Sequence, residues 1–419
     1  MKTLMKQLIF LGITLLIACP VMPQISLEKK GDIFRSSSTH TFKVEPNGLL
    51  RIKSVGGDVK VITWEKKSIE IREFCDLHVL TEAEANKIME QYQSSYSKVG
   101  NTVRIEREPV RTESVRSRFE INMPRVFNLD ISTIGGDIAV RDVQGTVDLA
   151  TAGGDLNLNQ IVGDVTANTA GGIISLHTCT GTAKLTSAGG DIDVSKIKGP
   201  VQLKTAGGGI SASTVDSHLI AKTAGGSIRI RDVKGNATIS TAGGGIGIVN
   251  CAGTLEAKTA GGDIDAQNIG SYTDLKTAAG EINASTIEIG IRAATSGGDI
   301  ELNDIRGYVE AETSAGNIEA KITLKDFSKD HHVSMKTTAG NLRLYLPENL
   351  PATIEASIAQ DRGWSDYSII SDFPLSYSEE ANKEGKTKSW NISRGEINGG
   401  GDRISLETQN GDIRILKLK

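Results

Sequence analysis

A pair of glycines returns every 18 residues through the middle of this 419-residue chain, from Gly135-Gly136 and Gly153-Gly154 to Gly243-Gly244 and Gly261-Gly262. The beat continues as Ala279-Gly280, Gly297-Gly298 and Ala315-Gly316, and a last copy, Ala339-Gly340, comes six residues late. A fixed period of this length marks a solenoid: each repeat is too small to bury its own apolar face and must stack on its neighbours. The length therefore fits one elongated body better than several globular domains.

The repeat is clearest from Gly189 to Ala206. Two short segments, Ile192–Val194 and Val201–Leu203, alternate apolar with polar residues, the period of half-buried strands. Stacking each on its counterpart one repeat later gives parallel sheets. Inward positions then form columns, one of them running Ile138, Leu156, Ile174, Ile192, Ile210 and onward to Ile318. Branched aliphatics suit such a pleated surface. A triangular hexapeptide helix shares the 18-residue coil, but it needs small or aliphatic residues every six positions. Here Lys198 and Lys204 follow Ile192 at that spacing, so the pattern predicts a flattened or irregular parallel β-helix. Right-handed winding is expected by extension from parallel crossovers. About twelve coils would make a rod roughly 55–60 Å long. The glycine pairs imply either φ > 0 or close approach of the next coil. The Thr or Ser two residues before each pair is expected to satisfy turn amides rather than to bind a ligand.

Four segments follow. Residues 1–24 read as an export signal, with Lys2 and Lys6 before the apolar run Leu8–Ala18. That run is too short to span a bilayer. Leu16-Ile17-Ala18-Cys19 is similar to a lipobox, which makes Cys19 a candidate lipidation site. Residues 25–130 read as a β-rich α+β capping module with one helix near Glu82 to Ser95, opened by the capping pair Thr81 and Glu84. Residues 131–347 are the solenoid proper, interrupted at 321–332. Residues 348–419 read as a C-terminal cap, whose end from Ile404 to Ile415 returns to a coil-like pattern.

Chemistry is sparse. A net charge of −4 gives no electrostatic footprint for nucleic acid. Cys179 and Cys251 occupy one inward column four coils apart, roughly 19 Å by strand spacing. No structural disulfide is expected at that separation. Asp137, Asp155, Asp191, Asp263 and Asp299 follow glycine pairs, as in calcium-binding nonapeptides. Their spacing is 18 rather than nine, and Ile173, Gly209, Ser227 and Gly245 break the column, so neither a metal nor any other cofactor is expected. Asp142, Asp232 and Asp304 share a column but lie too far apart for a catalytic pair. His331-His332 fall in the insertion and read as a solvent-facing pair with no carboxylate nearby. Lys204 with Lys222, and Lys258 with Lys276, read as a solvated face.

The repeated Thr-Ala-Gly-Gly-Asp-Ile, the strand Phe119-Glu120-Ile121-Asn122-Met123-Pro124, the strand Leu342-Arg343-Leu344-Tyr345-Leu346-Pro347 and the closing Asn410-Gly411-Asp412-Ile413 resemble a bacterial family of candidate adhesins. That family is a β-solenoid domain of unknown function. The resemblance implies an exported envelope protein, in the periplasm or on the outer surface, with no catalytic residues to carry over. The expected function is accordingly non-catalytic, an adhesin-like binding or spacer protein. Its partner would be a protein or glycan at the cell surface, with membrane contact only through an N-terminal lipid. Aromatic anchors dominate binding energy, and Trp364, Tyr367, Phe373 and Tyr377 are the expected partner-binding group. The alternative is a polysaccharide-degrading enzyme on a β-helix scaffold.

Overall fold

In the computed structural model, residues 26–107, 114–361, 367–381 and 388–418 are described. Each repeat gives one strand to each of two parallel sheets. In the first sheet, Ile192–Lys198 lies between Ile174–Thr180 and Ile210–Val215. In the second, Val201–Lys204 lies between Ala183–Ser187 and Leu219–Lys222. The chain is therefore a parallel β-solenoid, as its periodicity requires.

Register is strict because one face of every repeat strand from Ile138 to Leu346 is dry. Ile174, Ile192, Ile210 and Ile228 pair in line and are at most 2% exposed. A slip of one residue would turn this column out to solvent and bring polar side chains in. Cys179 and Cys251 replace aliphatic residues in the same core and are free, as is the buried Cys75. Burial pushes the Cys179 thiol up to about 11, so it behaves as an apolar filler.

The two corners of a coil are built differently. At the Gly-Gly corner, the second glycine sits against the carbonyl of its counterpart one coil earlier. A Cβ on Gly244 would lie 2.2 Å from Gly226 O. Close approach is thus the reason for glycine here. Thr241 closes this corner: its hydroxyl donates to Gly226 O at 2.9 Å and accepts from Gly244 N–H at 3.3 Å. The same bond to the previous coil recurs from Thr151 to Thr313, with Ser187 substituting in one coil. The other corner, where the end of the first-sheet strand bends toward the second sheet, has a left-handed residue in every coil from Asp142 to Asp304. Asp142, Gln160, Thr178, Lys196, Thr214, Asp232, Asn250, Asn268, Thr286 and Asp304 all have φ between 55° and 62°. For the branched Thr178, Thr214 and Thr286 that conformation is strained.

Sheet pairing extends beyond the glycine repeats in both directions. Gly48–Val55 and Asp58–Trp64 form a rung with a corner at Gly56-Gly57. This rung lies between Thr102–Arg107 with Val115–Pro124 on one side and Phe127–Thr133 with Ile138–Gln144 on the other. At the far end, Asp402–Thr408 and Ile413–Lys417 stack directly on Val333–Lys336 and Leu342–Leu346. Ala352–Asp361 and Ile369–Ser371 then lie outside that returning rung. Each sheet holds 19 strands among the described residues, giving roughly 85 Å at the spacing of stacked strands. This exceeds the expected length because the flanking segments add rungs to the same two sheets.

Antiparallel strands end the stack. Ser68–Leu77, Ile33–Lys43 and Ser26–Lys30 close the first sheet at one end, and Lys388–Ile397 and Ser376–Ala381 close the second at the other. The outermost strands are short or carry charge, such as Glu28, Lys29 and Lys30, which discourages further pairing. The helix runs Glu82–Gln91, capped by Thr81 accepting from Glu84 N–H. It stops short of Ser95 because Ser94–Val99 pairs as a strand with Thr102–Arg107. Beneath it the buried Arg107 pairs with Glu73, which also accepts from Tyr96 and Ser94.

Two substitutions test the corners by guanidinium denaturation. Thr241→Val is nearly isosteric but leaves Gly226 O and Gly244 N–H without their partner, and should lower stability by about 1–3 kcal/mol. Thr214→Asn puts a residue tolerant of φ > 0 at a strained corner, and should raise stability by about 1 kcal/mol.

Candidate binding surface

The repeating polar residues are occupied in holding coils together. Asp137, Asp155, Asp191, Asp263 and Asp299 each turn Oδ1 onto the backbone N–H one coil later, at 2.7–2.9 Å. Asn317 and Asn341 continue the ladder at 2.9 Å. That N–H stands at a corner where no strand partner reaches it, so the carboxylate supplies the acceptor. Asp142, Asp232 and Asp304 occupy the left-handed corner, each with its own partner: Arg125 at 3.0 Å, Asn250 at 2.7 Å and Arg306 at 2.8 Å. Among the described residues no group of three or more His, Cys, Asp or Glu is placed to hold a metal ion.

The regular wall is broken where the chain leaves Ile318–Ile322 and rejoins at Val333–Lys336. His331 and His332 depart here from the solvent-facing pair expected of them. His331 is 4% exposed, with Nε2 2.9 Å from Pro351 O and Nδ1 2.7 Å from Lys329 O. Its backbone N–H donates to Asp402 Oδ2 at 2.9 Å, tying the insertion to the returning C-terminal rung. His332 has carboxylates at hand: Nδ1 lies 2.7 Å from Asp330 Oδ1 and Nε2 3.5 Å from Glu310 Oε1. Its ring stacks on Tyr308 with centroids 4.9 Å apart, and Tyr308 in turn approaches Tyr272 at 6.4 Å. Tyr308 can lean this way because the rung between carries Gly290, where a Cβ would come within 2.4 Å of the ring.

Beside this aromatic strip is a groove of about 430 Å³ lined by Glu288, Asp304, Arg306, Lys325, Asp326 and Lys329. Burial works against ionisation of Asp304, but hydrogen bonds from Thr323 and Arg306 outweigh it and hold the carboxyl below the usual aspartate range. The arrangement offers paired charges and ring edges, which suit recognition. It does not bring two unpartnered carboxylates together.

Of the expected aromatic group, Phe373 is 6% exposed and part of the core, and Tyr367 packs half-buried against it. Tyr377 is 63% exposed, its hydroxyl donating to Asn391 Oδ1 at 3.1 Å. Trp364 lies outside the described residues, as does Cys19. Among the described residues the most exposed aromatic side chain at this end is therefore Tyr377, not Phe373. The lysine column also divides. Lys258 pairs with Glu256 and Lys276 with Asp274, whereas Gln202 and Ile220 occupy the corresponding positions before Lys204 and Lys222.

A family model described as Toastrack DUF4097 matches residues 43–231 and 252–416. Among solved structures, the chain is similar to a candidate adhesin from Bacteroides fragilis, at 13% identity over 74% of this chain and 96% of that one, with a TM-score of 0.20. A candidate cell adhesion protein from Clostridium sporogenes matches at 11% identity over 91% and 100%, with a TM-score of 0.15. A candidate lipid-binding protein from Parabacteroides distasonis matches at 11% over 74% and 94%, with a TM-score of 0.21. None of the three is alike enough in overall geometry to bear on this chain's chemistry. No curated protein matches it.

The anchoring of the insertion is open to test. His331→Leu removes the buried imidazole that donates to Pro351 O or Lys329 O, and should cost about 1–3 kcal/mol. Limited proteolysis should then cut within 323–332 faster than in the wild type.

Proposed function

The chain belongs to the Toastrack DUF4097 family, and from that premise we propose that it is an exported, non-catalytic β-solenoid of the cell envelope, a rigid spacer carrying an adhesin-like binding surface. The observation that supports this most is the occupation of the coil's own polar columns. Thr hydroxyls bond the carbonyl of the previous coil, and corner Asp carboxylates bond the N–H of the next. Recognition is left to side chains outside those columns: the Tyr272–Tyr308–His332 strip, Lys325 and Lys329, and Tyr377 at the far end. The partner is a protein or glycan of a cell surface.

Export rests on the leader read in residues 1–24, and anchoring on Cys19. No helix among the described residues is long and apolar enough to cross a membrane. Ser26–Lys30 and Ser376–Ala381 edge opposite ends of the stack. A lipid on Cys19 would hold the first end near the bilayer and carry the second roughly 85 Å outward.

Binding of the purified mature chain to immobilised envelope extract tests this reading. A variant combining Tyr308→Ala, Lys325→Ala, Lys329→Ala and Tyr377→Ala should lose at least about tenfold in affinity, with an unchanged unfolding midpoint. Equal binding by this variant would remove the proposed surface. Release of reducing ends from envelope glycans by the wild type would replace the reading with an enzymatic one.

A further inference from the structure

We infer that the outer face of the first sheet carries a binding site for an acidic saccharide, centred on Arg229 and Arg231. The inference rests on the chain being a binding protein and gives that reading a ligand class. Both arginines lie on Ile228–Val233, two residues apart, so both project outward about 6.6–6.8 Å from one another. The rungs on either side carry small residues. Ser211 and Ser213 flank the pair on one side, and Gly247 and Val249 on the other. A Cβ built on Gly247 meets nothing within 4 Å. The result is a groove of about 510 Å³ between taller side chains, whose lining also includes Asp263 and Asp265.

Two features separate this place from an ordinary solvated face. Neither guanidinium has a hydrogen-bond or ion-pair partner among the described residues. Three later arginines on the rod do have one: Arg292 has Glu310, Arg306 has Asp304, and Arg343 has Glu319. The charge around the groove is also local. Residues 184–234 contain eight Lys or Arg against four Asp or Glu, while residues 235–319 contain four against twelve. A basic belt thus crosses a rod that is acidic further along, and the unpartnered pair lies at its margin.

The other lining groups narrow the ligand. Asp263 and Asp265 both line the groove; Asp263 Oδ1 accepts from Glu281 N–H at 2.9 Å and Asp265 Oδ1 from Asn283 Nδ2 at 3.1 Å, so each carboxylate keeps a second oxygen as a further acceptor. A bare anion such as phosphate would use the arginines alone and be repelled by those carboxylates. A sugar acid uses both ends. Its carboxylate meets the guanidinium forks in charge-assisted bonds. Its ring hydroxyls donate to Asp263 and Asp265 and accept from Ser211 and Ser213. With no aromatic face in the groove, the affinity comes from these polar contacts.

Calorimetry on the full mature chain decides the matter, with trigalacturonate, its neutral methyl ester and inorganic phosphate as probes. Trigalacturonate should bind, and the methyl ester should bind at least about tenfold more weakly, as loss of charge-assisted hydrogen bonds implies. Arg229→Ser with Arg231→Ser places the residue of the neighbouring rung at both positions, so the rod should unfold at the same midpoint. It should cost trigalacturonate at least about tenfold in affinity. Arg229→Lys with Arg231→Lys should restore only part of that loss. Asp265→Asn should weaken trigalacturonate without weakening phosphate. Equal binding by wild type and double serine variant, equal binding of the methyl ester, or phosphate binding as tightly as trigalacturonate would each overturn the site. If trigalacturonate fails to bind while envelope extract is still bound, this site falls and the adhesin-like reading stands. Failure of both removes both.

Discussion

Everything in this molecule depends on how closely one coil can approach the next where the chain turns from the second sheet to the first. Strand spacing sets the rise, and at the corner the backbone must follow it without room for a Cβ between Gly226 O and Gly244. The threonine two residues before each glycine pair then reaches back to a carbonyl and forward to an amide, so the contact is hydrogen-bonded as well as tight. Dry columns of isoleucine and leucine supply the bulk of the stabilisation. The corner decides that they align.

That division explains what could be read in advance. Period, strand positions, inward columns and the structural use of Thr151 through Thr313 follow from local pattern, because each coil repeats the same solution in the same place. Signals that depend on distant partners were not legible. His331 looks like a surface residue until Pro351 and Asp402 close over it, respectively 20 and 71 positions away in the chain. Phe373 looks like an anchor for a partner until the core takes it in. The left-handed corner was visible only as a mixed column of Asp, Asn, Lys and Thr. Such mixing is what a position chosen for backbone shape rather than side-chain chemistry should show. Asn and Asp at several of its places were the available clue.

The proposed binding surfaces arise from departures from this regularity. Gly290 lets Tyr308 lean toward Tyr272, and Gly247 leaves space beside Arg229 and Arg231. The insertion before Val333 brings Lys325 and Lys329 to a groove shared with Glu288, Asp304 and Arg306. A repeat scaffold tolerates such changes because each rung contacts only its neighbours, so a local exception stays local.

The returning rung at Asp402–Lys417 has an effect on assembly. It lies between the strands Val333–Lys336 and Leu342–Leu346 on one side and Ala352–Asp361 and Ile369–Ser371 on the other, all of which precede it in the chain. During synthesis or translocation from the N-terminus, the far end of the rod stays open until residues 402–417 have emerged. A chain interrupted before that point exposes unsatisfied strand backbone at its tip. Closing the tip thus falls to a segment made after both of the neighbours it separates, and the order of pairing there cannot follow the order of the chain.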